Sequence, residues 1–268
     1  MGARRLIGRH VERIWGVRDL PSGFAPLVPA AGPIGEIWFE DSGGPGAADD
    51  SELLVKYLFT SERLSVQVHP GDEAARARGH KRGKDEAWYI LAAEPGAAIG
   101  LGLVRPVSAE ALRAAALDGG IGALLDWRNI AAGDFLYSPA GTIHAIGPGL
   151  ALIEIQQNLD LTYRLYDYGR GRELHLEEAL AVADRGPWTP PSRPREIAPG
   201  RTELAAGAFV LERWQGGGEA REGALVIPLG PGGTIDGQAL EAGTVWRVEG
   251  GAAIAGADVL VAYSTGSS

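Results

Sequence analysis

The chain of 268 residues has no cysteine, which excludes disulfides and thiolate zinc sites alike. It also lacks any run near the roughly 18 apolar residues that a membrane-spanning helix needs. Met1-Gly2-Ala3-Arg4-Arg5-Leu6 opens without the apolar core of a signal peptide. A cytoplasmic protein with no membrane partner is the expectation. Positive charge is in short supply: 25 Lys and Arg stand against 34 Asp and Glu, for a net charge of −9. That balance argues against a nucleic-acid or polyphosphate surface, although a few local cations could still hold a small anion. In contrast, 40 Gly and 17 Pro punctuate the chain, which favours many short strands and turns over a helix bundle. With 45% hydrophobic residues, the length is enough for a sizeable core.

The most informative stretch is Leu64-Ser65-Val66-Gln67-Val68-His69-Pro70. Its alternation has the period of a strand, so Gln67 and His69 project from one face while Val66 and Val68 take the other. An amide and an imidazole side by side suit a metal that accepts mixed N and O ligands. Glu86, at the head of an apolar strand, and His144, after the turn Pro139-Ala140-Gly141, are candidates to complete the set. Two His, one Glu and one Gln with an open position for water fit catalytic Zn²⁺; Co²⁺ and Mn²⁺ would also fit these donors. Taken singly, each residue has a plainer explanation, since most strand histidines are ordinary core or surface groups.

Strands are expected around 34–39, 53–59, 64–69, 88–91, 97–103, 135–138, 150–157 and 161–168, after a loosely structured opening. Asp41 to Ser51 is expected as a loop. Helices are expected at Asp72 to Arg78, with Asp72 as a possible cap, from Ser108 to Gly119-Gly120, at 121–127 and at 174–183. Lys56 interrupts an apolar strand and either snorkels outward or faces a site. The proline-rich stretch 187–200 reads as a linker or crossing segment. Residues 201–268 read as a small all-β domain, without histidine and without ligand-like spacing of its carboxylates, ending in a disordered Gly-Ser tail. A catalytic unit over 1–186 with a helical insertion is thus expected to precede the linker. Many short strands with Gly and Pro turns favour a sandwich or barrel.

The ordered motifs resemble those of type I mannose-6-phosphate isomerases, a zinc-dependent cupin family, in their short bacterial form. The resemblance covers residues 10–185. It rests on Arg13-Ile14-Trp15-Gly16, Ile34-Gly35-Glu36-x-Trp38, Leu54-Val55-Lys56, Leu64 to Pro70, Gly83-Lys84-x-Glu86-x-Trp88-Tyr89, Ala140-Gly141-Thr142-x-His144-Ala145, and the long run from Glu154 to Asp167. It implies a mainly β cupin barrel (a double-stranded β-helix or jelly roll) with a few helices, followed by a smaller, degenerate cupin-like domain that covers apolar surface of the first. It implies interconversion of mannose 6-phosphate and fructose 6-phosphate, with a small phosphorylated sugar as partner, in a monomer or small homo-oligomer. The family's zinc ligands fall on Gln67, His69, Glu86 and His144.

The resemblance also implies acid/base work for Lys84 and charge stabilisation for Arg164, with Glu154 and Lys56 as supporting polar groups. Ser65 matches a serine near the phosphate, and Arg170 is a further candidate for that end. The chain departs from the pattern at Val17, at Thr60-Ser61, in the short span between Trp38 and Leu53, and at Asp85. A carboxylate at position 85 is expected to raise the pKa of the adjacent lysine. These departures leave open an isomerase of another or unphosphorylated aldose, or a cupin that binds sugar without turnover.

Overall fold

The computed structural model describes residues 2–21, 23–24, 30–41, 51–191 and 193–265. Most of the loop expected from Asp41 to Ser51, and the Gly-Ser end, lie outside them. Among the described residues the chain is mainly β, with short helices, arranged as stacked layers. A six-stranded sheet runs in the order Gly8–Val17, Ile34–Phe39, Leu53–Thr60, Leu150–Gln157, Glu86–Ala93, Phe135–Ser138. A five-stranded sheet faces it, in the order Tyr163–Tyr166, Val66–Val68, His144–Ile146, Ala98–Leu103, Leu125–Asn129. Among the described residues every strand pairing within these two sheets is antiparallel, as in a cupin jelly roll.

Period-two alternation explains how each sheet serves two neighbours. Leu53–Thr60 is buried along its whole length. Val55, Tyr57 and Phe59 pack outward into a core shared with Phe209, Leu225, Ile227 and Leu260 of the last third. Leu58 turns the other way, with Trp88, Ile90 and Leu152. In the five-stranded sheet Val66, Val68, Ala145 and Leu165 pack against Leu112 and Ala116 of the Ala109–Asp118 helix and Ala179 of Leu176–Val182. Their alternates, Gln67, His144 and Arg164, are thereby left facing the six-stranded sheet.

The last third forms a nine-stranded sheet from Ala252–Ser264, Phe209–Ala220 and shorter strands. Several features depart from the sequence reading. Of the helix expected at 121–127, only Ile121–Leu124 is helical, and Leu125–Asn129 is the edge strand of the five-stranded sheet. The described part of the opening holds strands, and Ala3–Arg5 pairs with Trp246–Val248 at one edge of that nine-stranded sheet. The proline-rich stretch is partly docked: Trp188 packs beside Ile99 and Leu101 and donates to the Tyr137 carbonyl at 3.1 Å, and Arg195–Ala198 is a strand at the opposite edge. Ser108 caps its helix as expected, accepting from Ala111 N–H at 3.1 Å, and Gly119 ends it at φ 84°. Asp72 is not a cap; its carboxylate instead accepts the Gly83 N–H at 2.8 Å. No helix among the described residues is long and apolar enough to cross a membrane.

Candidate metal centre

Two rows of side chains face each other across the space between the sheets. On the five-stranded sheet, Gln67 stands opposite both His144 and Arg164 in register. On the six-stranded sheet, Lys56 pairs with Trp38 on one side and Glu154 on the other, and Glu154 in turn pairs with Trp88. Glu86 enters one pleat along from Trp88, on the same face. The cavity between them has a volume of about 550 Å³. Gln67, Glu86, Lys84, Lys56, Glu154, Ser65 and Arg164 line it.

Donor atoms converge around Glu86, one of its lining residues. His69, Glu86 and His144 are all buried, and one atom from each lies within 4.8 Å of the others. His69 Nε2 is 3.3 Å from Glu86 Oε1, and His144 Nε2 is 3.4 Å from Glu86 Oε2. The far ring nitrogens are occupied: His69 Nδ1 donates to the Leu161 carbonyl and His144 Nδ1 to the Thr142 carbonyl, each at 2.9 Å. Because a carbonyl can only accept, both rings must carry their hydrogen on Nδ1 and present a bare Nε2 to Glu86. Lys84 Nζ approaches Glu86 Oε1 at 2.9 Å, whereas Glu86 Oε2 is buried without a hydrogen-bond donor. Buried carboxylates are rarely left so. Gln67 adds its amide 3.2 Å from His144 Nε2, with Ser65 Oγ donating to Gln67 Oε1 at 3.0 Å. Half a turn of that amide sends the oxygen to the histidine nitrogens and leaves the NH₂ to Ser65. Two bare imidazole nitrogens and a rotatable amide around a buried carboxylate fit a metal ion.

The electrostatics agree. Burial lowers the pKa of His69 against the pull of Glu86, and lowers His144 to about 4. Both rings are neutral at physiological pH, as metal ligands must be. Burial also works against the Glu86 carboxylate, yet the charge of Lys84 helps to hold its pKa well below the ordinary range. Lys84 Nζ lies 2.9 Å from Glu86 Oε1. Burial opposes its charge, but Glu86 and Glu154 outweigh that and raise its pKa. Asp85 does not play the part expected of it: its carboxylate turns to the opposite face of the strand, bound to Tyr137 and Ala140.

The other sequence candidates divide. Lys56 faces inward, 3.4 Å from Glu154 Oε1 and 4.3 Å over the Trp38 ring, while Trp88 Nε1 donates to Glu154 Oε2 at 3.0 Å. Burial, then the charge of Glu86, raises the pKa of Glu154. Arg164 reaches the cavity with its Nε buried and unpaired, and Nη1 donates to the Glu173 carbonyl at 2.8 Å. Arg170 is not among the cavity-lining groups; it pairs with Asp167 at 2.9 Å and Glu62 at 3.6 Å. Arg172, which sequence reasoning passed over, lines the cavity instead and donates Nε to Asp167 Oδ2 at 2.7 Å. Only its place in the same Arg-rich loop as Arg170 could have suggested it.

The whole chain superposes on the crystal structure of the mannose 6-phosphate isomerase from Bacillus subtilis, with a TM-score of 0.83, 26% identity, and coverage of 98% of this chain and 100% of that one. A mannose-6-phosphate isomerase of Streptococcus mutans is 37% identical over 183 residues, 64% of this chain and 58% of the relative. A probable mannose-6-phosphate isomerase of Bacillus subtilis, GmuF, is 34% identical over 206 residues, 64% of this chain and 65% of the relative. Its sequence and its fold are both similar to those of mannose-6-phosphate isomerases. No protein-family model matches it. Its matches span less than two thirds of the length of these curated relatives. A putative mannosephosphate isomerase from Archaeoglobus fulgidus, 19% identical with a TM-score of 0.73 over 98% of this chain and 97% of that one, shares the cupin fold of the family.

Proposed function

We propose that the chain is a zinc-dependent aldose–ketose isomerase that interconverts mannose 6-phosphate and fructose 6-phosphate. The observation that carries this is the convergence of His69 and His144 on Glu86, with Gln67 beside His144, where Glu86 and Gln67 line a cavity that Lys84 and Arg164 also line. Gln67, His69, Glu86 and His144 hold the ion; Co²⁺ and Mn²⁺ are the alternatives to Zn²⁺ for such donors. When bound, the metal supplies a Lewis acid that polarises a sugar oxygen.

The chain's own residues do the rest. The reaction takes a proton from C2, returns one to C1, and moves the hydroxyl proton from O2 to O1. Lys84, buried and within reach of the ligand carboxylate, is assigned to the proton transfers. Arg164 is assigned to the negative charge that grows on the reacting oxygens. Glu154, fixed by Lys56 and Trp88, orients the sugar hydroxyls. Ser65, with Arg164 and Arg172, is assigned to the phosphate end, since all three line one cavity. Residues 1–186 would then be the catalytic unit and 201–268 the unit that covers its outer face. A phosphorylated sugar substrate goes with a cytoplasmic location.

The test is turnover of mannose 6-phosphate in a coupled assay, with mannose as comparator and with and without chelator. Chelator-sensitive turnover of the phosphosugar that returns with Zn²⁺ is expected. A metal-loaded protein inert towards mannose 6-phosphate but active on another aldose would overturn the substrate assignment.

A further inference from the structure

Asp85 stands between Lys84 and Glu86, yet its side chain takes no part in the cavity. One carboxylate oxygen accepts the Tyr137 hydroxyl at 2.6 Å, and the other accepts the Ala140 N–H at 2.9 Å. Its backbone makes a two-way pair with Gln157, donating to Oε1 at 2.9 Å and accepting the Gln157 N–H at 3.0 Å. Hydrogen bonds from two segments, 137–140 and the end of the Leu150–Gln157 strand, therefore meet on the residue next to a ligand.

The turn 139–141 is the point these bonds share. Ala140 is held by Asp85, and Gly141 N–H donates to the His69 carbonyl at 2.9 Å. Gly141 has φ 89°, and a Cβ there would lie 3.0 Å from Asp184 Oδ2, so the turn is also confined from behind. The chain then runs directly into His144. One turn thus fixes the mutual placement of His69, Glu86 and His144. In the other direction Tyr137 Oη accepts the Ala208 N–H at 3.3 Å and its ring lies 5.5 Å from that of Phe209, where the nine-stranded sheet begins its long Phe209–Ala220 strand.

We propose that Asp85 is a positioning residue for the metal centre, locking the Glu86 strand to the turn that carries His144, and that the Asp85–Tyr137–Ala208 relay ties this lock to the nine-stranded sheet. An ionised carboxylate is suited to it, because charge-assisted bonds are shorter and stronger than neutral ones and both oxygens are used. Ligand geometry tolerates errors of only about 0.5 Å, so a loosened turn acts on the ion before it acts on the fold. The proposal rests on the metal-dependent reading above.

The experiment is zinc release from the full-length, zinc-loaded protein into excess chelator, followed with a colour indicator, for Asp85→Ala, Asp85→Asn and Tyr137→Phe. Thermal unfolding of the metal-free proteins is measured alongside. Asp85→Ala is expected to release zinc on the order of tenfold faster, the size of effect that outer groups have on metal sites. Asp85→Asn, which keeps an acceptor for Ala140, is expected to recover most of the loss. Tyr137→Phe is expected to fall between them. Lowered metal-free unfolding with zinc release at the wild-type rate would mean a merely structural role and overturn the proposal. If Asp85→Ala does not fold, Tyr137→Phe decides, and a wild-type release rate overturns it again. A wild-type protein that holds zinc without isomerising mannose 6-phosphate would sink the functional reading alone. Zinc-dependent turnover with unchanged release in the variants would sink this one alone.

Discussion

Lys84 Nζ lies 2.9 Å from Glu86 Oε1, in a site where both residues are almost wholly withdrawn from water. The two are neighbours on one side of a strand head, with Asp85 between them turned away. Lys84 therefore has a single close carboxylate, and that carboxylate is also the best candidate ligand.

If Lys84 moves protons, Lys84→Ala should retain bound zinc and lose about 10²- to 10⁴-fold in turnover, the usual worth of a general acid–base. Metal content by emission spectroscopy and the coupled assay check this together. Loss of zinc in step with activity would instead make Lys84 a support for Glu86.

The row Trp38–Lys56–Glu154–Trp88 crosses four strands of the six-stranded sheet, and its ion pair is buried. Glu154→Ala removes the carboxylate paired with Lys56, whose charge is 3% exposed. The expected cost is about 3–5 kcal/mol, read as a fall in the unfolding midpoint. Lys56→Met combined with Glu154→Leu should recover much of that stability, since a buried pair is often no better than apolar packing. It should not recover turnover. A double variant as unstable as the single one would show that the pair, and not the stranded charge, sets the stability.

These relationships were unequally legible in the sequence. The alternation of Val66-Gln67-Val68-His69 put the polar pair on one face without any structure, because strand geometry leaves no other choice. Lys56 was ambiguous for the same reason: its strand is buried on both faces, so a lysine in it has no outward side to snorkel to. Whether it met a carboxylate depended on register with Leu150–Gln157, a partner about a hundred residues away in sequence. Asp85 was misread because proximity in sequence was taken for proximity in space. Adjacent strand residues point to opposite faces, and the charge that raises the Lys84 pKa comes from Glu86 and Glu154. The pairing of Ala3–Arg5 with Trp246–Val248 joins the two ends of the chain, and no local pattern announces it.

Arg170 and Arg172 are two residues apart and play different parts. Arg172 borders the cavity, whereas Arg170 is spent on Asp167 and Glu62. Arg172→Ala is expected to raise KM for mannose 6-phosphate about tenfold, as the loss of one charged hydrogen bond does. Arg170→Ala should act mainly on stability, through the buried Asp167. Steady-state kinetics on both variants decide it; the reverse order of effects would move the phosphate end towards Arg170.

The buried histidines also set how the metal-free protein responds to acid. His144 titrates near 4 when folded, against about 6.5 in an unfolded chain, and His69 is lowered in the same sense. Between those values the unfolded state binds protons that the folded state refuses, so stability falls as pH falls through the window from about 6.5 to about 4. His144 alone would account for ~3 kcal/mol of that loss, and nothing changes from this source above about pH 7. Glu86, depressed when folded, extends the loss in the same direction below its ordinary range. Urea midpoints of the metal-free protein at about pH 7.5, 5.5 and 4.5 should therefore decline, and His144→Gln should flatten the decline. A midpoint that holds steady to about pH 4.5 would mean the rings take up protons in place, and the site would then be too open to water to keep its ligands neutral for a metal.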